Sequence, residues 1–272
     1  MAPHADSDHP QEPLWAVFSK PWAGEAPGPL GERLAGLGFG GAEVPVRPGA
    51  YVDPGSAGRL LPGFVRTLAE QGVTVISVAA DPTEPVFAAC AEAGVPLIRI
   101  MAPLGDDGYL ASTERLRRDW AAVQPLTERY GVRVGVQPHR GRFVESTLGV
   151  LQLIDDLAGF DLVWDAGHDA LTGVDPVLTL DLAWPRLGLV NLKNGHYRPE
   201  PDAGPGAPRY RHWWGPADSG MADWARILGH LRHRGWDRPV CLTAEYSEPS
   251  DPEGKAELVR ADLLAARGHW TV

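Results

Sequence analysis

The chain has 272 residues, of which 44% are hydrophobic and 22% are charged, and its formal net charge is −10. This length suits one large α/β domain with a sizeable core. The acidic balance, with no run of more than two lysines or arginines, argues against nucleic acid or an anionic membrane surface as a partner.

The N-terminal residues and the hydropathy of the chain both bear on the location of the protein. Residues 1–13 are polar and lack an apolar segment, which predicts a disordered lead rather than a signal peptide. No run reaches the length of a transmembrane helix, so we expect a cytoplasmic protein with one domain over residues 14–272. Cys90 and Cys241 lie in apolar patterns without metal-ligand spacing and are predicted to be buried thiols.

Short apolar runs alternate with helical patterns along the whole domain. The predicted strands are 14–19, 41–46, 73–79, 96–101, 132–137, 162–165 and two that end near Asn191 and Glu245. The predicted helices are 29–37, 55–71, 85–93, 112–130, 148–157, 176–182, 222–234 and 253–267. Eight strands that alternate with helices predict a single closed (β/α)₈ TIM barrel.

Some details of the helices and loops follow from local signals. Ser112 and Thr113 are predicted to cap the fourth helix and Gly131 to end it. Pro62 and Pro125 are predicted to kink or interrupt their helices. Residues 199–218, rich in Pro, Gly, Arg and Trp, are predicted to form a long irregular loop.

Polar side chains follow four of the strands at the point where each strand ends. Gln137, Asp165, Asn191 and Glu245 are separated by 28, 26 and 54 residues. The first two intervals match one strand–helix unit, and the last is twice as long because of an insertion. Barrel enzymes keep their chemistry at the carboxyl ends of the strands, so we expect these side chains at one mouth. Three further polar residues follow the same strands: His139, His168 and Lys193.

The order of these residues resembles that of the sugar-phosphate isomerase/epimerase family, which belongs to the xylose isomerase-like TIM barrels. The family pattern is E-N-H, then D-x-x-H, then H-x-K-D, then a glycine-containing turn, then a final Glu. The chain carries the corresponding places at Gln137 and His139, Asp165 and His168, Asn191 to Asn194, Asp218 to Trp224, and Glu245. The resemblance implies a small polyhydroxylated carbonyl substrate (a sugar, a cyclitol or a similar ring), no nucleotide cofactor, and an assembly of identical subunits in many members.

The resemblance also implies a divalent cation, Mn²⁺, Mg²⁺ or Co²⁺, at Gln137, Asp165, Asn191 and Glu245. Two of these four places hold amides where the family has Glu and His, so the set has two carboxylates instead of three. We therefore expect a weakened cation site. An amide at Asn191 is similar to that in dehydratases that act on dehydroshikimate, but Gln137 removes one of the two bases that epimerisation on opposite faces requires.

The remaining residues support chemistry with one base. Glu245 is predicted to remove a proton next to a carbonyl, with His168 or His139 as the partner acid and Lys193 stabilising an enolate or binding an anionic group. The predicted substrate-binding residues are Glu43, Trp22, Trp213 and Trp214. Structural roles remain open for several of them: a hydrogen-bonded Asp165–His168 pair, a bracing His139, a salt-bridging Glu43, and tryptophans that only shield the mouth.

Three functions remain open on these residues. The first is isomerisation, epimerisation or dehydration of such a substrate. The second is a metal-free, repurposed barrel enzyme of a biosynthetic pathway, and the third is a ligand-binding protein without catalysis. An abasic-site nuclease is excluded, because it needs a multi-metal cluster and a basic footprint.

Overall fold

Eight parallel strands form a closed barrel, as predicted, in the computed structural model, which describes residues 12–200 and 209–271. Each strand pairs with the next along the chain, and the last pairs with the first. The strands are β1 (Trp15–Phe18), β2 (Gly41–Pro45), β3 (Thr74–Ala79), β4 (Leu97–Met101), β5 (Arg133–Gln137), β6 (Phe160–Asp165), β7 (Leu187–Leu192) and β10 (Val240–Leu242). The predicted disordered lead falls almost wholly outside the described residues.

Helices cover the outside of the barrel between successive strands. They are α1 (Pro27–Leu37), α2 (Ala57–Glu70), α3 (Glu84–Ala93), α4 (Tyr109–Tyr130), α5 (Thr147–Ile154), α6 (Ala166–Ala170), α7 (Pro176–Ala183), α8 (Trp224–His233) and α9 (Pro252–Thr271). Gly94 and Gly131 end α3 and α4 in the left-handed region, where glycine adds no steric cost. The helices α2 and α4 run without a break through Pro62 and Pro125.

Side chains alternate between the barrel interior and the helix layer, because a strand turns successive residues to opposite faces. A small apolar cluster that includes Phe18, Val163, Leu189 and Cys241 fills the interior. Asp165 and Asn191 come two residues after Val163 and Leu189 and are paired in register. They therefore point into the barrel one layer nearer its carboxyl-terminal mouth.

The predicted cap at Ser112 and Thr113 is wrong. Helix α4 begins at Tyr109, directly after Gly108, whose φ of 89° suits glycine. Ser112 lies inside the first turn and is buried. Its hydroxyl donates to Asp107 at 2.8 Å and accepts the Gly105 N–H at 2.9 Å. The serine therefore ties the preceding loop to the helix.

The predicted irregular loop over 199–218 is also wrong in part. Strand β9 (Tyr210–Gly215) pairs antiparallel with β8 (Asn194–Pro199), and the two strands form a hairpin that follows β7. Residues 201–208 of the predicted loop lie outside the described residues. Because Asn194 follows Lys193 directly, the hairpin stands at the mouth of the barrel.

Two further findings concern the cysteines and the hydropathy of the helices. Cys90 and Cys241 are free and buried, as predicted. Among the residues that the structure describes, no helix is both long and apolar enough to cross a bilayer.

Candidate active site

Asp165 lies at the end of β6, and its carboxylate accepts hydrogen bonds from three donors of the protein. Its Oδ1 accepts the backbone N–H groups of Gly167 and His168, both at 3.0 Å, and thereby caps helix α6. Its Oδ2 accepts the side-chain N–H of Gln137 at 2.7 Å. Both carboxylate oxygens are thus engaged within the protein.

Arg99, which the sequence analysis missed, lies beneath this pair in the barrel interior with 7% of its surface exposed. Its guanidinium donates to Glu43, with Nη2 at 2.6 Å and Nε at 2.8 Å from Oε1, and through Nη1 to Oε1 of Gln137 at 2.6 Å. Burial disfavours the guanidinium charge, but Glu43 outweighs burial and raises the pKa of Arg99. Its sequence signal was a single charge inside the otherwise apolar strand LIRIM.

Glu43 is fully buried and takes part in this interior network rather than in the cavity. Besides Arg99, its Oε2 accepts the hydroxyl of Ser77 at 2.8 Å. The salt-bridging alternative for Glu43 therefore describes its position better than the predicted contact with substrate. The network runs from Glu43 through Arg99 and Gln137 to Asp165.

Lys193 and Glu245 form an ion pair at the mouth, where β7 and β10 end. Lys193 Nζ lies 2.6 Å from Glu245 Oε2 and 4.0 Å from the centre of the Trp214 ring, and the lysine is only 4% exposed. Lys20, which follows β1, pairs with the other oxygen of Glu245. Burial opposes ionisation of Glu245, but Lys193 and Lys20 outweigh it and lower the pKa of the carboxyl.

His139 and His168 pack against each other with their ring centres 4.1 Å apart. Burial is the main cause that lowers the pKa of His139 to about 4, and it also lowers the pKa of His168 well below its usual value. Both rings are therefore neutral at pH 7. His168 Nδ1 accepts the backbone N–H of Arg140 at 3.3 Å, and His139 Nδ1 donates to the Arg140 carbonyl at 2.8 Å.

A cavity of about 620 Å³ opens at this mouth. The predicted residues that line it are His139, Lys193, Trp214 and Glu245, joined by Lys20, Arg140, His212, Tyr246 and Lys255, which the sequence analysis did not single out. His168 lies behind this wall, against the edge of Trp214 at 5.0 Å between ring centres. The cavity thus brings together the predicted base, the predicted lysine and one of the two histidines.

Two of the predicted substrate-binding tryptophans do not line the cavity, and this corrects the prediction. Trp22 is 2% exposed in the core, where its indole N–H donates to the carbonyl of Pro252 at 3.3 Å. Trp213 neighbours Trp214 on β9 but points to the other face of the hairpin, where the Arg198 guanidinium stacks at 4.0 Å from its ring. Alternation along the strand explains why only Trp214 faces the mouth.

The four predicted cation ligands do not fit a divalent ion in this arrangement. Both oxygens of Asp165 and the oxygen of Gln137 accept hydrogen bonds, and Glu245 is held by two lysines. Among these four side chains, only that of Asn191 has an oxygen that is buried without a hydrogen-bond partner. Over residues 12–200 and 209–271, no three His, Cys, Asp or Glu side chains converge as metal ligands do.

The fold is a TIM barrel, and its polar residues lie at the carboxyl ends of the strands, where such barrels have their active sites. The chain belongs to the xylose isomerase-like TIM barrel family, whose model matches residues 32–265. No curated protein sequence shows significant similarity to the chain.

Solved structures of this fold cover almost the whole chain at low sequence identity. The 3-keto-D-glucoside 4-epimerase YcjR from E. coli superposes with a TM-score of 0.71 at 15% identity, covering 94% of this chain and all of that one. D-psicose 3-epimerase from Clostridium cellulolyticum H10 gives 0.71 at 12% identity, with 95% and 100% coverage. The probable 3-DHS dehydratase AsbF from Bacillus anthracis gives 0.68 at 13% identity, with 93% and 98% coverage.

Proposed function

We propose that this protein is an enzyme that removes a proton next to the carbonyl of a small polyhydroxylated substrate. The observation that carries the proposal is the Lys193–Glu245 pair, with 2.6 Å between its charged atoms, in the wall of the 620 Å³ cavity. A carboxylate and an ammonium side by side are the two groups that enolate formation needs. The epimerase and dehydratase activities of structures with the same fold support this class of chemistry.

The contact between the two groups changes as the reaction proceeds. A substrate carbonyl oxygen accepts a hydrogen bond from the ammonium group of Lys193, and Glu245 accepts the proton from the adjacent carbon. As negative charge develops on the oxygen, Lys193 is drawn towards it and away from Glu245. The carboxylate then holds its new proton more strongly, because the cation that lowered its pKa has turned to the enolate.

One base favours isomerisation or dehydration over epimerisation. Gln137 cannot accept a proton at working pH, and its amide is tied to Arg99 and Asp165. Glu245 can return its proton to the former carbonyl carbon while the proton of the adjacent hydroxyl moves to the former carbonyl oxygen, which isomerises the substrate. It can instead give the proton to a departing hydroxyl, which eliminates water. Both outcomes need a donor on one face of the substrate only.

The histidines have supporting roles in this scheme. Because His139 is neutral and its Nδ1–H is used by the Arg140 carbonyl, its Nε2 is left to accept a hydrogen bond from a substrate hydroxyl. His168 does not line the cavity, so we assign it to bracing His139 and Trp214 rather than to proton transfer. This replaces the predicted role of His168 as an acid.

Hydrogen–deuterium exchange tests the proposal before the product is known. In D₂O, the protein should replace the C–H next to the carbonyl in at least one member of a panel of ketoses and cyclic hydroxyketones, followed by proton NMR. Glu245→Gln should slow exchange by about 10²- to 10⁴-fold, the usual contribution of a positioned base. Lys193→Met should slow it by about 10²- to 10³-fold, as expected for loss of an enolate stabiliser.

Glu248→Gln is the matched control, since Glu248 is exposed on the same loop three residues after Glu245. It should exchange at the wild-type rate. Exchange that survives Glu245→Gln would contradict the proposal. Tight binding of a panel member without any exchange would instead support a ligand-binding protein.

A further inference from the structure

The lining of the cavity is cationic, although the chain as a whole carries a formal charge of −10. Four cationic side chains reach it, from Lys20, Arg140, Lys193 and Lys255, against one carboxylate, that of Glu245. An acidic protein that gathers positive charge in one cavity creates a local potential that attracts anions. The distribution of these charges within the cavity shows where an anion would be received.

Glu245 is shared between Lys20 and Lys193, which leaves Arg140 and Lys255 uncompensated. In the described part of the chain, neither of these two side chains has an Asp or Glu oxygen within 4.0 Å of its nitrogens, the limit for an ion pair. Arg142, only two residues after Arg140, differs in this respect, because it pairs with Asp106 at 2.6 Å and is well exposed. Arg140 therefore reaches the cavity without the carboxylate partner that its neighbour Arg142 has.

The position of Arg140 is set by aromatic neighbours instead of an acid. Its guanidinium stacks 5.6 Å from the centre of the Tyr197 ring, and its Nη1 contacts Nδ1 of His212. Burial, followed by the nearby charges of Arg140 and Lys193, lowers the pKa of His212. A neutral His212 that accepts at Nδ1 carries its proton on Nε2, so it adds a further donor.

We propose that the substrate carries an anionic group, a carboxylate or a phosphate, which Arg140, His212 and Lys255 bind in the same cavity as Lys193 and Glu245. A guanidinium fork and an ammonium suit the oxygens of either group. The inference rests on the proposed function only for the other half of the substrate, the carbonyl that faces Lys193. Binding of the anion itself does not depend on turnover.

Three probes with one carbon skeleton separate charge from shape: D-fructose, D-fructuronate and D-fructose 6-phosphate. Calorimetric titration of the full chain should give at least about tenfold tighter binding for one or both anionic probes than for D-fructose. A preference between the two anions tells carboxylate from phosphate. Arg140→Gln should weaken the preferred anionic probe by about tenfold or more and leave D-fructose unchanged.

Three variants make the result specific. Arg142→Gln should bind as the wild type does, since its side chain lies outside the cavity. Arg140→Lys should keep part of the anion preference, which reports on charge in a folded protein if Arg140→Gln is unstable. Glu245→Gln should keep the preference even where exchange is lost, so that failure of this inference and failure of the proposed function are told apart. Equal binding of all three probes, or no binding of the anions at millimolar concentration, overturns the inference.

Discussion

Arg99 determines much of what the interior of this barrel can do. Its cation satisfies Glu43, which is completely buried, and orients Gln137, which in turn orients Asp165. A chain of buried charges of this kind is costly to break, because removal of one partner leaves the other charged and desolvated. The residues that in the family resemblance stand for cation ligands are thus integrated into a structural network.

The stability of Arg99→Met tests whether Glu43 depends on this guanidinium. The variant should lose about 3–5 kcal/mol of unfolding free energy in urea titrations, because Glu43 is left buried without its cation. Glu43→Gln in the same chain should restore part of the loss, since an amide needs no counter-charge. If the two substitutions are additive, Glu43 and Arg99 do not act as a pair.

Several of the predicted site residues lie together where chemistry and position coincide. Glu245, Lys193 and His139 reach one cavity because each follows the carboxyl end of a strand that the pattern of apolar runs reveals. The partners Arg99, Arg140 and His212 were missed. Their roles depend on which side chains meet across the barrel, and that is set by packing between segments far apart in the chain.

Helix α9 contributes a buried acid, Asp262, which contacts Tyr246 of the cavity lining from behind. Asp262 accepts the hydroxyl of Tyr246 at 2.7 Å and the backbone N–H of Ala217 at 2.8 Å. Burial raises the pKa of Asp262 to about 6. The helix is thereby fastened to the loop after β10 and to the loop after β9.

The pH dependence of stability follows from that shift. Between its unfolded pKa of about 4 and the folded value of about 6, Asp262 binds more protons in the folded chain. The stabilisation is therefore complete below about pH 4 and is lost as the pH rises through about 6. Its size is at most about 3 kcal/mol.

Asp262→Asn should remove this dependence, because the amide stays neutral at every pH. In urea unfolding, the stability of the variant relative to the wild type should rise by up to about 3 kcal/mol between pH 4 and pH 7. A constant difference between the two proteins over this range would show that Asp262 ionises as freely in the folded chain as in the unfolded one.

Element boundaries were predicted best where a strand–helix unit repeats and worst where local signals compete. The strands of the barrel were found from apolar runs at a regular pitch, and Gly131 correctly marked the end of α4. The hairpin of β8 and β9 was missed because its Arg- and Trp-rich sequence, bordered by Pro and Gly, is also typical of loops. Its stability comes from pairing across the hairpin, which composition does not show.

For the whole molecule, the family resemblance and the site lead to different expectations about metal. The fold is that of the xylose isomerase-like TIM barrels, and the resemblance implies a divalent cation. In this chain the oxygens at the four corresponding places are engaged by Arg99, Lys193, Lys20 and backbone N–H groups, apart from that of Asn191. We infer that fixed cations supply the positive charge that the family places on the metal.

Deuterium exchange by metal-stripped protein distinguishes fixed cations from a bound metal ion. After exhaustive chelation, with residual metal checked by elemental analysis, the wild type should still exchange the C–H next to a substrate carbonyl for deuterium, and Glu245→Gln should not. Added Mn²⁺ or Mg²⁺ should change neither the exchange rate nor the melting temperature. Loss of exchange on chelation that stoichiometric Mn²⁺ restores, with a rise in melting temperature abolished by Asp165→Asn, would contradict the account.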